Sequence, residues 1–219
     1  MMTNAELMKI LDAKRRKNGR VYNGDIRQIG QELLKNKIDV SPLVIGQNYE
    51  IDFVYFHVVL SRDHRDFRKQ LKDIEPFLDT LDSWYRVDNL ITYFKKPIDF
   101  DFYYQQAQRY LKSENIFVKR LGYVGFLKSD LTDIDNCQRI IDLFSDTKEH
   151  SLIMAQAWVM SVMYIYQPRL VFNFFRTSNF SYPLISAALS KCTDSYRISN
   201  EEKVKIRKLR PILKMQKER

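Results

Sequence analysis

The chain has 219 residues, 45% of them hydrophobic, including 14 Phe and 13 Tyr, which is enough for a sizeable core and excludes a disordered chain. Six Gly and six Pro are few for the turns of an all-β protein, and two cysteines, Cys137 and Cys192, exclude a disulfide scaffold and a cysteine metal cluster. Lys and Arg number 36 against 27 Asp and Glu, an excess that favours phosphate-rich partners or anionic lipid without choosing between them, and that a merely solubilising surface also explains.

Thr3 and Glu6 have capping-box spacing ahead of LMKIL, so a first helix is expected from Asn4 to about Lys17. After the turn-rich KNGRVYNG, GDIRQIGQELLK places Ile26, Ile29 and Leu33 at helical spacing. KIDVSPLVIGQN reads as irregular, and YEIDFVYFHVVL as a buried third helix because it is nearly apolar. DHRDFRKQLKDIEPFLDTL sets Phe67, Leu71 and Ile74 on one side, with Pro76 expected to kink it or end its first part. SWYRVDNLITYF, DFYYQQAQRYLK, NIFVKRLGYVGFLK and IDNCQRIIDLF follow as helices, then the long apolar EHSLIMAQAWVMSVMYIY. Pro168 opens RLVFNFFR, YPLISAALSKCTDSY comes next, and SNEEKVKIRKLR closes with Ser199 and Glu202 in a second capping box. This makes about ten or eleven helices with short connections and no strand alternation, hence an all-α chain. Periodicity alone leaves both a bundle and an α-solenoid of HEAT type open. No apolar run approaches the ~18 residues of a membrane span, and MMTNAELMKILDAKRRKNGR lacks a signal peptide's apolar segment, so a cytoplasmic, soluble protein without membrane partners is expected.

The usual catalytic signatures are missing. No GxGxxG or GxxxxGK[ST] occurs, and His57, His64 and His150 form no HExxH, so neither a metal nor a cofactor is expected. Four features remain. Trp84 and Asp88 are four residues apart and share a helix face, either as a functional pair or as a packed tryptophan beside a solvent-facing carboxylate. Lys119 and Arg120 open an otherwise apolar helix, where a cation is poorly placed against the helix dipole; an outside anion or a plain surface charge accounts for them. Trp158 ends MAQAW in a nearly uncharged helix, where a core stripe is the competing reading. KVKIRKLR is a binding element or a solvated face, within a segment from Arg197 to Arg219 that holds nine basic and three acidic residues; Met1 to Arg20 holds six and two.

Between about Gly24 and Arg210 these segments resemble the DNA alkylation repair glycosylases built from HEAT-like helical repeats. The resemblance is carried by W84-Y-R-V-D88, F117-V-K-R120, M154-A-Q-A-W158 and S195-Y-R-I-S199 followed by KVKIRKLR, all in the family's order. It implies one all-helical HEAT-like repeat domain over residues 1–219, a solenoid with a basic C-terminal helix and tail at about 199–219. It implies a monomer that wraps duplex DNA and removes positively charged N3- or N7-alkylated purines, with no metal and no cofactor. On that resemblance Asp88 is the catalytic carboxylate, Trp84 and Trp158 flank it, Arg120 contacts a backbone phosphate, and Lys119 and Tyr85 join the DNA-binding residues. The chemistry agrees independently. An alkylated purine is already a cationic leaving group, so a fixed carboxylate and aromatic faces that stabilise the incipient sugar cation suffice. Departures from the family pattern are the missing proline in GDIRQIG, an unplaced N-terminal aromatic for which Tyr22 is the candidate, Met154 in place of a lysine and Ser161 in place of an arginine. Each loss removes a possible phosphate contact, which keeps two alternatives in view, a non-catalytic DNA-binding paralogue and a helical-repeat protein scaffold.

Overall fold

A computed structural model describes residues 1–62 and 66–217. The expected start of the fourth helix at Asp63, His64 itself, and Glu218 and Arg219 of the basic tail lie outside the described residues. Among the described residues the protein is all-α, with twelve α-helices, two 3-10 segments and no strand. The chain divides into two compact units, Met1–Lys96 and Pro97–Arg219.

The first unit holds α1 (Asn4–Ala13), α2 (Asn23–Lys35), α3 (Tyr49–Arg62), α4 (Phe67–Ile74), a 3-10 segment (Glu75–Thr80) and α5 (Trp84–Thr92). Helices α1, α2, α4 and α5 all pack on α3. That central position explains its composition: most of its 14 residues are buried, including Glu50 and Asp52. The Thr3–Glu6 capping box starts α1 as expected. The helix stops at Ala13, short of Lys17, because Arg15 leaves the helical path for the buried Glu50. Its guanidinium donates twice to that carboxylate, at 3.0 and 2.7 Å, and once to the Gly19 carbonyl at 2.9 Å. Gly30 lets α2 approach α3 closely, since a Cβ there would lie 2.8 Å from the His57 ring. Pro76 ends α4 and falls in the first turn of the 3-10 segment.

The second unit holds α6 (Phe100–Tyr110), α7 (Ile116–Val124) running into a 3-10 segment (Gly125–Lys128), α8 (Ile134–Asp142), α9 (His150–Tyr166), α10 (Pro168–Thr177), α11 (Tyr182–Asp194) and α12 (Asn200–Lys217). Helix α9 packs on both α7 and α11, while α6 packs on α7, α10 on α9 and α12 on α11. Alternate helices thus form a stack with their partners laid onto it, as in a helical repeat. Within the expected helix NIFVKRLGYVGFLK, the α-helix yields to 3-10 at Gly125, against the buried Tyr103 hydroxyl that donates to the Leu121 carbonyl at 2.6 Å. A Cβ on Gly125 would lie 1.9 Å from that oxygen. Helix α12 continues beyond Arg210, through Pro211, because Leu213 is buried on the far side of the proline and holds the last turns down. Pro211 supplies no N–H to the helix.

Candidate functional site

On α5 the side chains of Arg86, Val87, Asn89, Leu90 and Ile91 are buried, which leaves Trp84, Tyr85, Asp88 and Thr92 on the open side. Trp84 is 59% exposed, and Asp88, one turn on, is half-buried. A packed tryptophan beside a solvent-facing carboxylate therefore does not describe this helix. Two groups hold α5 in place. The Tyr85 ring meets Tyr49 and Phe53 of α3 edge-on, with centroids 5.6 and 6.2 Å away, and Trp84 follows at 6.0 Å from Tyr85. Arg86 is buried and donates to the carbonyls of Gly46 and Thr80, both at 3.2 Å, while a second guanidinium nitrogen lies 3.2 Å from Asp52. Burial pushes the Asp52 carboxyl upward, against the opposing pull of the Gly46 N–H and the Arg86 charge. The Arg86–Asp52 pair was missed in the sequence, although a carboxylate inside the nearly apolar YEIDFVYFHVVL was its visible signal.

The second unit carries Lys119, Arg120 and Trp158. Asn115 caps α7, its side chain accepting from the Phe117 N–H at 2.8 Å, so Lys119 and Arg120 fall in the second turn rather than at the helix start. The dipole argument for an outside anion is correspondingly weaker. Arg120 is 4% exposed and donates to the Ser151 carbonyl of α9 at 2.7 Å, while Lys119 is half-buried. Helix α9 is buried on most sides, and its partly open residues, Ser151, Met154, Trp158, Val162 and Ile165, recur at spacings of three and four. Trp158 is therefore at the middle of the single open stripe of α9, not in a core stripe. Ser161 lies off that stripe, buried, with its hydroxyl donating to the Trp158 carbonyl at 2.8 Å. Trp158 borders a cavity of about 480 Å³ together with Lys191, Asp194, Ser195, Tyr196 and Arg197.

The C-terminal helix divides its charges. Arg210 points inward, donating to the hydroxyls of Ser186 and Ser190 at 3.0 and 2.9 Å, and Lys217 donates to the Ser178 carbonyl at 2.6 Å. Lys205, Arg207 and Lys208 are exposed. Ser199 accepts from the Glu202 N–H at 3.3 Å, and the Glu202 carboxylate accepts from the Tyr164 hydroxyl at 2.7 Å. Tyr22, the candidate N-terminal aromatic, is exposed with Arg16 over its ring.

Other reactive groups are tied into the core. Burial pushes both Cys137 and Cys192 up to about 12, so each is a neutral thiol. His57 is buried against Gln31 and Tyr93. Among the described residues no group of three His, Cys, Asp or Glu is placed to hold a metal, and no helix is long and apolar enough to cross a membrane.

No curated protein and no solved structure matches the chain significantly. The family model described as DNA alkylation repair enzyme, in contrast, matches residues 5–192, from the first helix to the last turn of α11. With most of its length matched, the chain belongs to the DNA alkylation repair enzyme family, a family of DNA-repair proteins.

Proposed function

We propose that this protein is a DNA glycosylase that releases cationic N3- and N7-alkylated purines from duplex DNA, with Asp88 as the catalytic carboxylate. The observation that carries the reading is the open side of α5, where Trp84 and Asp88 stand one turn apart on a helix otherwise buried and pinned by Arg86. In this scheme the bond from the sugar C1′ to the purine breaks with both electrons leaving on the base, which neutralises the charged ring. Asp88 stabilises the positive charge left on the deoxyribose. Water then bonds to C1′ and its proton passes to solvent. Trp84 offers an aromatic face to the cationic sugar, and Tyr85 holds Trp84 at its station; Trp158, on the open stripe of its own helix, is proposed as a further DNA-contacting residue. Lys119 contributes charge to the duplex. Arg120, mostly buried and donating to the Ser151 carbonyl, is the proposed contact to a backbone phosphate.

Single-turnover release of 7-methylguanine and 3-methyladenine from methylated duplex tests the reading. Asp88→Asn removes the charge and keeps the shape, and is expected to slow release by roughly a hundred- to thousandfold, ~3–4 kcal/mol, with the melting curve unchanged. Full activity in the folded variant removes Asp88 from the mechanism. Ser161 favours a second reading, since its hydroxyl proton is donated to the Trp158 carbonyl and the side chain brings no positive charge to a phosphate. DNA binding by the parent protein without any base release would establish that non-catalytic paralogue.

A further inference from the structure

The turn between α11 and α12, Ser195 to Ser199, is given no role by the scheme above, yet it shares a cavity with Trp158. Ile198 is buried and anchors this turn, and the Ser195 hydroxyl accepts from the Arg197 N–H at 3.3 Å. Between these anchors the Tyr196 side chain is directed outward and is 97% exposed. One exposed tyrosine is ordinary on a protein surface. Its company is what sets it apart.

Arg197 donates to the Tyr166 hydroxyl at 2.7 Å and lies over that ring at 5.4 Å from its centroid. A phenol orients the guanidinium without neutralising it, so the charge is held in position for an external anion. Lys191, on the last turns of α11, adds a second cation to the same cavity, against one carboxylate, Asp194. Two cations, an outward tyrosine and the half-buried Trp158 therefore border one opening of about 480 Å³. Aromatic rings beside fixed cations suit a nucleic-acid strand, whose phosphates meet the charge while its sugars and bases meet the rings.

We propose that Lys191, Tyr196 and Arg197 form a DNA-backbone site beside Trp158, in which Arg197 and Lys191 take a phosphodiester and Tyr196 packs on the neighbouring nucleotide. The proposal rests on the DNA-binding part of the reading above and extends it to a turn that reading leaves idle.

The test uses the full-length protein with Arg197→Gln, Lys191→Gln and Tyr196→Ala, and a fluorescent duplex of ordinary sequence, titrated between ~50 and ~200 mM salt. Each charge removal should weaken binding at low salt and flatten the slope of log affinity against log salt by about 0.9. Tyr196→Ala should weaken binding roughly fivefold or more while leaving the slope unchanged, since a ring releases no counterion. Tyr196 is almost wholly exposed, so this variant keeps its fold even if Arg197→Gln does not, and thermal melts verify both. Parent affinity and slope in folded Tyr196→Ala and Arg197→Gln proteins would overturn the proposal. Base release is measured in parallel. A parent that shows these binding effects but releases no base defeats the glycosylase reading and leaves this site standing. A parent that releases base, with variants unchanged in affinity and KM, defeats this site alone. A parent that binds no DNA defeats both.

Discussion

At the scale of single residues, burial differs sharply between charges that are near neighbours in sequence. Arg86 and Asp88 are two positions apart, yet Arg86 is 5% exposed and committed to Asp52, Gly46 and Thr80, whereas Asp88 stands on the open side. Arg86→Ala would leave the Asp52 carboxylate buried without its guanidinium and should cost ~3–5 kcal/mol of stability by chemical denaturation. Trp84→Ala, at a side chain mostly in water, should change stability by ~0.5 kcal/mol or less. The helical spacing of Trp84 and Asp88 could be read from the sequence, because a separation of four places two residues on one face whatever surrounds them. Which face is open could not be read, because Asp52 and Gly46 come from distant parts of the chain. His57 gives a residue-level prediction in pH. Burial, with Arg27 repelling from nearby, lowers its pKa below the ordinary value near 6.5. The unfolded chain therefore takes up the proton first, so this stability is fully present above about pH 6.5 and is lost as pH falls toward the folded pKa. Melting curves between pH 7 and 5 should show this loss in the parent and less of it in His57→Gln.

At the scale of elements, the order of the helices was legible and their ends were not. Caps such as Thr3 and breakers such as Pro76 act on their own neighbours, and both do what the sequence suggests. Two other boundaries are set by partners far along the chain, Glu50 drawing Arg15 out of α1 and Tyr103 converting the end of α7 to 3-10, while α12 runs on past Pro211 to the buried Leu213. The α6–α7 contact is the tightest of these. Gly125→Ala would force a methyl group to within 1.9 Å of the Tyr103 hydroxyl, and should destabilise the protein by ~1–3 kcal/mol through overpacking. Tyr103→Leu in the same background should recover part of that loss, measured by denaturant midpoint, because it removes both the hydroxyl oxygen and the ring carbon that the methyl would meet at 1.9 and 2.2 Å.

At the scale of the whole molecule, the excess of 36 basic over 27 acidic residues was plain from composition, but its placement was not. Arg210 and Lys217 look like surface charges in KVKIRKLRPILKMQK, and both are hydrogen-bonded to the body of the second unit. Trp158 was hidden for the opposite reason. A helix as apolar as α9 gives no contrast from which to locate its open stripe. The family match stops at Cys192, whereas α12 begins eight residues later and lays Ile206, Leu209 and Leu213 against the second unit, with Tyr164 of α9 reaching its first turn through Glu202. The homologous segment is thus not a severable piece. Burying each of those three aliphatic side chains is worth ~1.5–3 kcal/mol. A fragment cut at Asp194 would leave α11 with a bare greasy flank, and should be recovered from expression chiefly as insoluble material or as a species that binds a hydrophobic dye. A soluble, cooperatively melting 1–194 fragment would show α12 to be an appendage. Otherwise α12 is an integral part of the second unit, covering a flank of α11 that the matched segment leaves bare.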